Sequence, residues 1–78
     1  MDDIKKQIEA ITAKIAGSEP IADDYFCRGK LYWRLGDRAS AITDFNEALT
    51  LDPDSPAKAY LRMANEILDF YNTDLYNP

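Results

Sequence analysis

The side chains that could carry catalysis or bind metal are one cysteine and several pairs of acidic residues, in a chain without histidine. Asp44 and Glu47, and again Glu66 and Asp69, stand three residues apart, the spacing at which two carboxylates share a helix face. Helical di-metal sites combine such acids with histidine, which is also the commonest general base. Solvated helix faces therefore explain these acids better than a metal or catalytic site.

Cys27 is the single cysteine, so no disulfide within the chain is possible. Without an imidazole to activate it, the thiol is expected to be a small apolar contact on a helix rather than a nucleophile. A lone cysteine is typical of a reducing compartment. Residues 52–55 resemble the start of a calcium-binding loop. The glycine and the closing glutamate that such a loop requires at later positions are absent. The sequence therefore predicts no enzyme activity, no metal and no cofactor.

Composition limits the partners that are expected. At 78 residues the chain is long enough for one small domain, and its net charge is −5. A negative chain is a poor ligand for nucleic acid, whose phosphates require a basic surface. No basic-then-apolar leader and no run of about 20 apolar residues is found. We therefore expect a cytoplasmic protein that binds neither nucleic acid nor membranes.

Apolar residues recur every three or four positions in four segments, which predicts an all-α chain. The predicted helices cover about 2–16, 22–35, 38–51 and 56–71. Gly36 and Asp37 are typical of a helix end followed by a helix start, and Ser55 before Pro56 is typical of another start. The tail, residues 72–78, is rich in turn-forming residues, and its Leu75 and Tyr76 are candidates for folding back onto the last helix.

Glycine at position 29 lies within a predicted helix, where it costs about 1 kcal/mol relative to alanine. Its presence indicates that another helix crosses closely at this point. Ala41 and Ala48 lie on the apolar stripe of the following segment and are small enough to permit that approach. The sequence therefore predicts an αα-hairpin in which larger rings fill the space around these small residues: Tyr25, Tyr32 and Phe45.

Residues 22–55 resemble the tetratricopeptide repeat, a 34-residue helix–turn–helix unit. The residues that carry the resemblance are Tyr25, Gly29, Tyr32, Gly36, Ala41, Phe45, Ala48 and Pro53. Arg28 departs from the pattern, because the family usually has leucine there. The resemblance implies antiparallel helical hairpins of a right-handed superhelix in one domain, residues 1–78. Helix 2–16 would be a divergent half-repeat, and helix 56–71 would be a C-terminal cap that precedes the tail, 72–78.

The resemblance also implies a protein–protein interaction module, since the first helix of each unit in this family lines a groove that binds a peptide or helix. The corresponding face carries Asp23, Phe26, Lys30, Trp33 and Arg34, and the equivalent positions on the last helix are Tyr60, Ala64 and Ile67. The alternative is a structural homodimerisation unit without an external ligand, because three repeats are normally needed for stability. A third possible function, which the sequence does not distinguish from the first, is a non-catalytic regulator of an enzyme. Whether the tail covers this face is also left open.

Overall fold

The chain forms four consecutive helices. The computed structural model describes the backbone of residues 3–76 and the side chains of residues 3–66. The helices are α1 (Asp3–Gly17), α2 (Ala22–Leu35), α3 (Arg38–Leu51) and α4 (Ala57–Tyr76). Each helix packs against the next along the chain, as in a helical repeat. The predicted all-α fold is confirmed.

The turn between α2 and α3 is built by Gly36 and Asp37, as predicted. Gly36 adopts a left-handed conformation, with φ of 93°. The N–H groups of Gly36 and Asp37 donate to the carbonyl oxygens of Trp33 and Tyr32, at 3.1 and 3.0 Å. This is the Schellman arrangement that ends many helices. The Asp37 carboxylate then accepts from the N–H of Ser40 at 3.2 Å, which caps the start of α3.

The start of α4 agrees with the sequence prediction, but its end does not. The Ser55 hydroxyl oxygen is buried and accepts from the N–H of Ala57 at 3.1 Å. The helix then continues to Tyr76 instead of ending near residue 71, so residues 72–76 are not a turn. No glycine or proline interrupts 57–76, and the polar residues at 72–74 cost less than about 1 kcal/mol each in a helix. The side chains of Leu75 and Tyr76 lie outside the described residues.

The core lies where α2 and α3 cross. Phe45, Ala41 and Ala48 are fully buried, and Tyr25 and Tyr32 pack against this cluster. A methyl group at position 29 would lie 2.6 Å from Cε1 of Phe45 and 3.3 Å from the carbonyl oxygen of Ala41. Glycine therefore allows the two backbones to approach while the Phe45 ring fills the crossing point. The predicted close contact is confirmed.

The outer helices extend this core on both sides. α1 packs on α2 and buries Ile8, while α4 packs on α3 and buries Ala57, Leu61 and Ala64. Ile4, Ile11 and Ile15 are half-buried along the same stripe of α1. None of the described helices is both long enough and apolar enough to span a bilayer.

Candidate functional site

Aromatic side chains of α2 and α4 meet on one side of the hairpin. The ring of Phe26 lies edge-on to that of Tyr60, with centroids 5.3 Å apart. Both rings also rest on Phe45, at 6.1 and 5.3 Å. Phe26 and Tyr60 remain half-buried rather than enclosed. The structure therefore brings Phe26 of α2 and Tyr60 of α4 together in one surface. This surface rests on the core through Phe45.

Two cations lie over aromatic rings of α2. The Lys30 ammonium is 4.6 Å from the centroid of the Phe26 ring. The Arg38 guanidinium, from the first turn of α3, is 5.0 Å from the Trp33 ring. Contacts of this type contribute about 0.5–1 kcal/mol at exposed sites. They hold the cationic groups beside rings that are still partly accessible, which is a combination common in protein-binding surfaces.

A cleft separates α1 from α2 next to this surface. Its lining residues are Gln7, Ile11, Cys27, Lys30, Leu31 and Arg34. Leu31 is buried and Ile11 is half-buried, so the floor is apolar, while Arg34 is exposed at the rim. Cys27, predicted as a small apolar contact on a helix, is an exposed free thiol that lines this cleft. The cleft therefore combines an apolar floor with two cations.

The remaining predicted residues differ in accessibility. Asp23 is exposed in the first turn of α2. Ala64 is 1% exposed, so it belongs to the interior of α4 and is not available to a ligand. Ile67 belongs to α4, but its side chain lies outside the described residues. Direct contacts thus join Phe26 to Tyr60 and to Lys30, and Arg34 lines the same cleft as Lys30. Trp33 contacts Arg38 and packs against the core.

Arg28, the residue that departs from the repeat pattern, forms a partly buried ion pair with Asp44. Its Nε donates to Oδ2 of Asp44 at 2.7 Å, and its Nη2 donates to Oδ1 at 2.8 Å. A third group, Nη1, donates to the Thr12 hydroxyl at 3.2 Å, so the guanidinium connects α1, α2 and α3. The hydrogen bond to Asp44 raises the pKa of Arg28, although desolvation opposes it. The guanidinium therefore stays charged within the helix stack.

The acidic residues near this pair do not form a metal site. Asp44 is buried, which corrects the expectation that it lies on a solvated face, whereas Glu47 is exposed. Among the described side chains, no three histidine, cysteine or acidic residues converge on a point that could hold a metal ion. A signal for the pair was present in the sequence, because Arg28 and Asp44 each interrupt an otherwise apolar stripe. Helical periodicity indicates which face of its own helix each residue occupies. It does not indicate that Arg28 of α2 contacts Asp44 of α3.

Comparisons with known proteins agree with this architecture. Residues 22–55 match the family model described as tetratricopeptide repeat. The chain is also 39% identical, over 61 residues, to a protein named Protein SGT1 homolog from Oryza sativa subsp. japonica. The aligned region is 78% of this chain but 16% of that protein, so the chain spans about a sixth of the length of the relative.

No solved structure matches the sequence with significance. The match to the family model begins at the first residue of α2 and ends at Ser55, the cap of α4, so it contains the whole α2–α3 hairpin with its Gly29–Phe45 crossing. The chain therefore contains one tetratricopeptide repeat, at residues 22–55, with α1 and α4 on either side of it.

Proposed function

We propose that this chain is a small adaptor or assembly module that binds a peptide or helix of another protein through the α2 face. This face is defined here as Phe26, Lys30, Trp33 and Arg34 of α2 together with Tyr60 of α4. The observation that carries the proposal is the edge-on contact of Phe26 with Tyr60, which makes one continuous surface from two helices. Asp23 extends the face along α2, and Ile67, whose side chain lies outside the described residues, stays a prediction.

The composition of the α2 face supports binding. Aromatic residues and arginine contribute most of the free energy in many protein interfaces. Aromatic rings bury large areas with few rotatable bonds, and arginine presents a planar set of hydrogen-bond donors. Phe26 and Tyr60 are held by Phe45 before any ligand arrives, and Trp33 is held by Arg38. Side chains that are already ordered lose little conformational entropy on binding. Docking by shape and a few anchors requires no covalent step, and we propose no catalytic activity.

The test is capture of partners by the purified chain and by a Trp33→Ala variant. Trp33 is half-buried on the α2 face, where it packs against the edge of the core and lies beneath the Arg38 guanidinium. We expect the variant to keep its helical circular dichroism and to bind the captured, purified partner at least about tenfold more weakly, as truncation of a central aromatic anchor does. Thr50→Ala, on the exposed side of α3, is the matched control. Equal affinities for all three proteins would contradict the proposal.

The wild-type chain and the Trp33→Ala variant also distinguish the alternative function, homodimerisation, from binding of another protein. If a second copy covers the α2 face, the wild-type chain sediments as a dimer at micromolar concentration and Trp33→Ala shifts it to monomer. If the face binds another protein, sedimentation does not depend on Trp33. The proposal places the chain in the cytoplasm, because Cys27 is an exposed thiol and such thiols persist in reducing compartments.

A further inference from the structure

We infer that the cleft between α1 and α2 binds an acidic segment of the partner, with an aliphatic side chain on the cleft floor and neighbouring carboxylates at Lys30 and Arg34. This inference rests on the proposed function and adds to it the chemistry of the ligand. It also assigns a binding role to α1, which lies outside the matched repeat. Gln7 and Ile11 are the residues of α1 that line the cleft.

The charge of the cleft differs from the charge of the whole chain. The chain has 14 acidic residues against 9 basic ones, yet the lining of the cleft contains two cations and no carboxylate. Neither Lys30 nor Arg34 forms a salt bridge with any side chain in the described part of the chain. The two stand four residues apart on α2, one helical turn, so both can approach the same acidic segment. A negative ligand is therefore favoured here although the chain as a whole is negative.

The floor of the cleft favours an apolar side chain. Leu31 and Ile11 contribute only hydrocarbon, and the Cys27 thiol is a small, weakly polar neighbour. Burying an aliphatic side chain against such a floor contributes binding free energy that is insensitive to salt. The carboxylate contacts at the exposed rim add a component that salt screens. Because only the charged component of the binding free energy depends on salt, the apolar and charged components can be measured separately.

Cys27 provides a direct readout of occupancy, because it is the single cysteine and it lines the cleft. The probes are short, acetylated and amidated peptides in which one leucine stands beside two glutamates, two glutamines or two lysines. A fourth peptide keeps the two glutamates but has no leucine. The measurement is the rate at which Cys27 is alkylated by iodoacetamide, a neutral reagent, at increasing peptide concentration. We expect only the leucine–glutamate peptide to slow alkylation. Raising the salt from about 0.05 to about 0.5 M should weaken that protection several-fold.

Matched variants locate the interaction. Lys30→Gln with Arg34→Gln should reduce protection by the leucine–glutamate peptide at least about tenfold. Lys58→Gln with Arg62→Gln changes the net charge equally on the exposed side of α4, and it should leave protection unchanged. Circular dichroism of both double variants shows whether the fold is intact.

Three results would overturn the inference. The first is equal protection by the glutamine peptide, which would remove the charge argument. The second is equal protection by a glutamate peptide without leucine, which would reduce the site to anion attraction. The third is a partner, captured through Trp33, that binds without protecting Cys27; the α2 face would then remain the binding surface, and only the assignment of the cleft would be wrong.

Discussion

Replacing Arg28 by leucine restores the residue that is usual in the repeat, yet we expect it to destabilise this chain. The reason is Asp44, whose carboxylate is 3% exposed and accepts two hydrogen bonds from the Arg28 guanidinium. In Arg28→Leu this carboxylate stays buried and loses both donors. Removing one partner of a buried ion pair costs about 3–5 kcal/mol. Because the pair lies near the surface of a small chain, we expect about 3 kcal/mol, the lower end of that range.

Replacing Asp44 instead of Arg28 is expected to cost less stability. In Asp44→Ala the Arg28 side chain, which is 17% exposed, can extend its guanidinium into solvent and remain hydrated. The expected loss is about 1–2 kcal/mol, the contribution of hydrogen bonds to a charged group. The double variant Arg28→Leu with Asp44→Ala contains neither buried charge. Its stability should lie within about 1 kcal/mol of the wild-type value, so the two single effects are not additive.

The assay is urea and thermal unfolding followed by circular dichroism at neutral pH. Hydrogen bonding to Asp44 raises the pKa of Arg28, so its contribution is present at neutral pH, below the ordinary arginine pKa, and is lost as the pH rises through the raised one. The pair is thus measured in its charged form. In a domain of this size, about 3 kcal/mol corresponds to a fall in Tm of roughly 12–24 °C. Additive losses, or an Arg28→Leu variant as stable as the wild type, would refute the reasoning.

Two further predictions concern the backbone. Gly29→Ala should destabilise the chain by about 1–2 kcal/mol despite the better helix propensity of alanine, because the added methyl group would meet the fixed ring of Phe45. Gly17→Ala is its control: nothing lies within 4 Å of the added methyl group, so unfolding should show no loss of stability. Ser55→Ala should lower the free energy of unfolding by about 1 kcal/mol, because the N–H of Ala57 loses its capping acceptor. A variant with wild-type Tm would show that the cap contributes nothing.

Most of the fold follows from features that are local in sequence. The turn could be predicted because only glycine adopts the left-handed conformation of residue 36 without strain, and because Asp37 is a good cap. The crossing of α2 and α3 could be predicted because Gly29 has no favourable role in an isolated helix. The end of α4 could not, because asparagine, threonine and aspartate are compatible with both a turn and the end of a helix.

The candidate site was harder to predict than the fold, because it depends on contacts between helices. Such contacts leave no periodic pattern in the sequence. The family resemblance placed Phe26 and Tyr60 on one face, and the structure shows their rings in contact. Two contacts join α2 to α3: Arg38 lies over Trp33, and Arg28 pairs with Asp44. Which residues meet in this way depends on the turn and on how the helices pack. Burial of Ala64 likewise reflects how α4 lies on α3, which the 34-residue period alone does not specify.

The most direct test of the proposed binding surface is a map of amide chemical shifts in the ¹⁵N-labelled chain as the purified partner segment is added. We predict that the largest changes occur at Phe26, Lys30, Trp33, Arg34 and Tyr60, with smaller changes at Gln7 and Ile11 across the cleft. Changes confined to the exposed side of α3, around Glu47 and Thr50, with the α2 amides unmoved, would contradict the account.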